Sequence, residues 1–122
     1  MANITATKNT STHHRSVVYV WENLNVANDV PLAVNVSHLT DFTVQVEEES
    51  AGSYTVEWHT TLDTSETPGG FIAITDALSG SAISQAASAV DECLQQGYYM
   101  KPVISGTGTV TLRLMGRRLL SA

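Results

Sequence analysis

The chain has 122 residues and a net charge of -6, from twelve acidic and six basic residues, with a single cysteine at position 93. That length suits one domain burying roughly 65% of its unfolded surface. The lone Cys93 excludes an internal disulfide, no run approaches the ~18 apolar residues of a membrane span, and the negative balance argues against nucleic acid or anionic lipid as a general partner.

Residues 1 to 15 are rich in Thr, Asn and His and carry no hydrophobic period, so they read as a flexible N-terminal arm. They also lack the apolar run of a secretion signal, and synthesis in a cytosol is expected. From Val17 onward the chain is a series of short β-type runs about ten residues apart. They are VVYVW (17–21), LAVNV (32–36), FTVQV (42–46), SYTVEWHTTL (53–62), GFIAIT (70–75), YYMKPVI (98–104) and TVTLRLM (109–115). The pattern predicts an all-β protein, an antiparallel β-sandwich formed by residues 16–122 as one domain.

Alternation suggests two hairpins. Pairing Val46 with Val56 and Val44 with Trp58 puts the large apolar residues of both runs on one face and leaves Ser50-Ala51-Gly52 as the loop. The same logic pairs Ile104 with Val110, Pro102 with Leu112 and Met100 with Leu114, closing on Gly106-Thr107-Gly108. In that register Lys101 faces Arg113 directly, a destabilising like-charge pair that calls for an acidic neighbour. Pro102 has no N–H to give, so it belongs at an edge or a bulge. Residues 77–97 combine helical spacing (Ile83, Ala87, Val90, Leu94) with a place where a sandwich takes another strand, and an irregular excursion with a short strand or one helical turn is expected.

The residue chemistry predicts no catalytic, cofactor-binding or metal-binding residues. Glu47 and Glu57 would sit diagonally on the outer face of the first hairpin, roughly 7–8 Å apart, a spacing an inverting glycosidase uses. Without an aromatic cleft to raise either pKa, two solvated carboxylates are the simpler reading. Cys93 has no signature pairing it with His38 or His59 and reads as a small buried hydrophobe. His13 and His14 are adjacent and point apart. Asp63, Glu66, Asp76, Asp91 and Glu92 supply oxygens for calcium only if they converge, and no DxDxDG loop is present.

Charge is unevenly spread. All twelve acidic residues lie between Glu22 and Glu92, where there is no Lys or Arg, while Lys101, Arg113, Arg117 and Arg118 fall in the last 22 residues. The terminal run therefore suggests an interface, with Tyr99, Lys101, Arg113, Arg117 and Arg118 meeting an acidic surface or being neutralised inside their own sheet.

The stretches GSYTVEWHTTLDTS, GGFIAITDALSGSAI and GYYMKPVISGTGTVTLRLMGRR, about residues 52 to 118, resemble small structural proteins of tailed bacteriophages. The resemblance is sharpest from Gly97-Tyr98-Tyr99 through Pro102, the Gly-Thr-Gly turn and the closing Arg117-Arg118. It implies a jelly-roll β-sandwich on the virion surface, a capsid decoration or cement protein. Its partners would be the major capsid protein and other copies of itself, as a homotrimer or else a dimer. It implies no enzyme activity, no cofactor, no nucleic acid and no membrane. The insert at 84–96 departs from the family's pattern. The alternative is a tail or neck component, or a carbohydrate-binding module stacking sugars on Tyr99, Trp58 or Trp21.

Overall fold

The computed structural model describes residues 2–10 and 15–118. In chain order the strands are β1 (Ala2–Ile4), β2 (Thr7–Thr10), β3 (Ser16–Asn25), β4 (Asp29–Pro31), β5 (Val34–Asn35), β6 (Leu39–Ser50), β7 (Tyr54–Thr61), β8 (Ile72–Ala73), β9 (Ser84–Gln85), β10 (Ala89–Glu92), β11 (Tyr99–Gly106) and β12 (Thr109–Arg118). Each of the seven alternating runs contains a strand, and among the described residues there is no helix. The protein is all-β, a sandwich of antiparallel sheets.

The first sheet has the order β10-β6-β12-β3-β2, and the second β5-β11-β7-β8, with β9 also pairing β7. Between them lies a hydrophobic cluster drawn from both sheets. Trp21 from one sheet meets Trp58 from the other edge-to-face, ring centroids 5.9 Å apart at 61°, a geometry that adds about 0.5–1.5 kcal/mol to what burial alone contributes. Val44, Val46, Leu112 and Leu114 face Val56 and Met100 around this pair.

Neither expected hairpin forms. β6 pairs with β12, not β7, so that Val46 lies opposite Leu112 and Val44 opposite Leu114. β11 pairs with β7, placing Ile104 opposite Val56 and Pro102 opposite Trp58. The four strands have exchanged partners. Alternation decides which face of a strand turns inward, and in a sandwich the inward faces of two successive strands meet equally well across the core. The two short loops therefore cross from one sheet to the other. They also pack on each other: Thr107 N–H donates to the Ser53 carbonyl at 2.9 Å and Ser53 N–H to Thr107 Oγ1 at 3.1 Å. A Cβ on Gly52 would run into the Thr107 carbonyl oxygen, which is why that turn needs glycine.

The N-terminal segment differs from an unattached arm. β1 runs parallel to β4, and β2 adds to the first sheet beside β3, with Thr7 opposite Val20 and Thr10 opposite Val17. All four side chains of β2 are exposed. Backbone hydrogen bonds hold this strand, and they leave no hydrophobic period in the sequence. His13 and His14 lie outside the described residues. In the 77–97 region the excursion contains two short strands, β9 and β10, preceded by a single helical-type turn in which Gly80 N–H donates to the Asp76 carbonyl at 2.8 Å. Pro102 falls on β11 beyond Met100, where the pairing with β5 has ended, in keeping with its need for an edge.

Candidate functional site

The residues expected to form one cationic interface lie on two sheets. Tyr99 and Lys101 belong to β11 in the second sheet, and Arg113, Arg117 and Arg118 to β12 in the first. Met100 and Pro102 point inward on β11, as do Leu112 and Leu114 on β12, so Lys101 and Arg113 face outward on opposite sides of the sandwich. The like-charge pair does not exist. Lys101 lies opposite His59, and its ammonium sits 4.3 Å from the centroid of the Phe71 ring, a cation–π contact. Arg113 lies between Gln45 and Val20 and donates to Glu47 Oε1 at 3.0 Å. Arg117 lines a shallow pocket with Asp41 and Glu92. Tyr99 tilts against Tyr98 at 5.2 Å.

A different basic group comes together instead. The end of β12 meets the start of β3, with Arg117 opposite Ser16 and Arg118 N–H donating to the Arg15 carbonyl at 2.6 Å. Lys8 enters through β2, opposite Tyr19. His38, in the turn between β5 and β6, is held below its ordinary pKa of 6.5 by burial first and then by the charges of Lys8 and Arg118. Lys8, Arg15, His38 and Arg118 thus share one corner of the molecule. Of the four, Arg118 alone carries a sequence signal, the closing Arg117-Arg118 pair; Lys8, Arg15 and His38 join it only once the arm pairs with β3.

The opposite end of the same sheet is acidic. Glu47 and Glu48 lie opposite Thr111 and Val110 at the start of β12, Glu49 follows, and Glu22 flanks Thr111 from β3. Glu48 accepts a hydrogen bond from the Tyr54 hydroxyl at 2.9 Å. The connecting segments at that end, 26–33, 50–53 and 106–108, contain no Lys or Arg.

The other candidates separate as well. Glu47 is on β6 and Glu57 on β7, in different sheets, so they form no pair. Glu47 is engaged by Arg113, and Glu57 Oε1 lies 3.3 Å from His59 Nε2. Cys93 packs against the core, and its thiol is pushed up to about 12 by burial first and then by Asp91 and Asp76. A thiol so protonated is a poor nucleophile. Among the described residues, no three His, Cys, Asp or Glu side chains converge as metal ligands would. Asp63 instead accepts the backbone N–H groups of Ser65 and Gly69, which orders its own loop and holds its carboxyl below the usual range. Trp21 and Trp58 are fully buried and offer no stacking surface. Among the described residues, no helix is long and apolar enough to cross a membrane.

No protein-family model, curated protein or solved structure matches the chain.

Proposed function

We propose that this chain is a virion structural protein of a tailed bacteriophage, made in the host cytoplasm, that binds the outside of the capsid and stabilises it. The strand order is the observation that carries the reading. With β1, β2, β4 and β9 set aside, the chain crosses between the sheets at every connection except β7 to β8. The resulting orders, β10-β6-β12-β3 and β5-β11-β7-β8, support reading the sandwich as a jelly roll, an architecture used by viral capsid and lectin domains. The resemblance of residues 52–118 to small structural proteins of tailed bacteriophages favours the coat among these uses. Burial of both tryptophans weighs against the sugar-binding alternative, which is left with Tyr99 as its platform.

In this reading the partners are the major capsid protein and further copies of the chain, with a homotrimer as the proposed form on the shell. Multiple contacts of modest strength then sum to lasting attachment. The test is to strip the protein from purified virions of the encoding phage and add it back. Saturable co-sedimentation with the stripped shells, and recovered resistance to heat, are expected. Absence of the chain from purified virions, or rebinding to isolated tails alone, sinks the capsid assignment.

A further inference from the structure

We propose that copies of this chain associate head to tail, with the basic corner formed by Lys8, Arg15 and Arg118 of one copy seated on the acidic end formed by Glu22, Glu48 and Glu49 of the next. This goes beyond the virion reading and is decided in free protein, whereas that reading is decided on particles.

The register of β12 fixes the geometry. Val110 lies opposite Glu48, while Arg118 lies opposite Leu39 and donates to Arg15. Eight residues at ~3.3 Å each set the two ends roughly 26 Å apart. One copy therefore cannot bring its own ends together. At about 0.15 M salt the screening length is ~8 Å, so each end acts on its surroundings as a local charge and not through the net charge of the molecule. The two surfaces differ and complement each other, which makes the contact heterologous: it closes into a ring or extends.

Each end also carries apolar surface beside its charges. Leu62, 79% exposed, lines a groove with Ser37 and Leu39 next to His38. At the other end Val30, Pro31 and Val103 line a groove that also holds Asp29 and Lys101. A second copy fits the basic corner better than a nucleic acid does. A long polyanion laid across the corner would also run past Asp41 and Glu92, which lie beside Arg117, whereas a copy presents only its acidic end.

The test is sedimentation velocity on the full chain over a concentration series at about 0.1 M and about 1 M salt. Association at the lower salt and its loss at the higher are expected. Reversing one side, as Lys8→Glu with Arg15→Glu or as Glu22→Lys with Glu49→Lys, should weaken association about tenfold or more. Mixing the two reversed proteins should restore it, because each supplies the surface the other has lost. The milder pair Lys8→Gln with Arg15→Gln gives the same readout if a reversal disturbs folding. The proposal is overturned by a wild type that stays monomeric up to about 1 mM, by association indifferent to salt, or by a mixture that fails to recover. It is equally overturned if the corner binds a labelled single-stranded DNA, and loses it on reversal, while no self-association is seen.

Discussion

The indole N–H of Trp58 donates to Gln85 Oε1 at 2.8 Å, and both side chains are buried between the sheets. Gln85 Nε2 in turn donates to Asp91 Oδ2 at 2.9 Å, so the link runs from β7 through β9 to β10 in the facing sheet. It accounts for an inverted edge strand. Ala89, Asp91 and Cys93 are partly buried, while Val90 and Leu94 point out, 60% and 55% exposed. A slip of one residue would bury Val90 and Leu94 but remove Asp91 from Gln85. The polar link outweighs the apolar gain because a buried N–H or amide without a partner costs about 1–3 kcal/mol.

Gln85→Leu should therefore destabilise the fold by about 1–3 kcal/mol, since it strands the Trp58 N–H. The double change Trp58→Phe with Gln85→Leu removes donor and acceptor together and should recover part of that loss. Urea unfolding of the three proteins checks this. A single change that costs nothing would show that the link does not set the register.

Arg113 and Glu47 form an ion pair whose side chains are 36% and 47% exposed. Pairs that open to water contribute about 0–1 kcal/mol and are screened by salt. Arg113→Gln should thus lower stability by no more than about 1 kcal/mol, with the difference shrinking in high salt. A thermal melt of wild type and variant at low and high ionic strength tests it. A gain in stability would revive like-charge repulsion at Arg113, which the pairing with Gln45 and Val20 excludes.

How much of this was legible in the chain depends on what each residue type reports. Val44, Val46, Val56 and Trp58 announce strands and inward faces, because period-two alternation reflects burial. They say nothing about hydrogen-bonding partners, and so two crossings between sheets look like two hairpins. Lys8 carried no sign of its place, since β2 is held by backbone groups every residue possesses. Gln85 and Asp91, polar residues in a Ser- and Ala-rich stretch, read as loop. Their burial follows from the position of Trp58 across the core, a relationship 27 residues away in sequence.

Gly116 faces inward on β12 at the bulge where Met115 pairs with Thr43 and Arg117 with Thr40. A Cβ there would stand 2.9 Å from Phe42 Cε1 and 3.0 Å from Leu39 Cβ. Both neighbours are buried, so they have little room to move. Gly116→Val should cost about 1–3 kcal/mol by overpacking, and Gly116→Ala less. A Gly116→Val protein as stable as wild type in urea would mean that this end of the core is looser than its contacts indicate.

Two buried groups make the fold sensitive to alkali. The Cys93 thiol is raised from 9.0 to about 12, by burial first and then by Asp91 and Asp76. The Tyr54 hydroxyl is raised from 10.0 to about 12, by burial first, then by its hydrogen bond to Glu48 and by that carboxylate's charge. Both groups keep their protons in the folded chain at pH values where the unfolded chain has lost them. Between pH 9 and about 12 the unfolded state therefore binds fewer protons, and stability falls as pH rises. The stabilisation is fully present below pH 9 and fades through about 12. Each group can contribute up to about 1.4 kcal/mol per pH unit within its window. Cys93→Ala should flatten the first part of the decline and Tyr54→Phe the part above pH 10, as followed by urea midpoints across the alkaline range. Iodoacetamide at neutral pH should leave the folded thiol unmodified and label it rapidly in denaturant. If wild type and Cys93→Ala lose stability in parallel, the thiol is exposed to solvent and its place against the core is wrong.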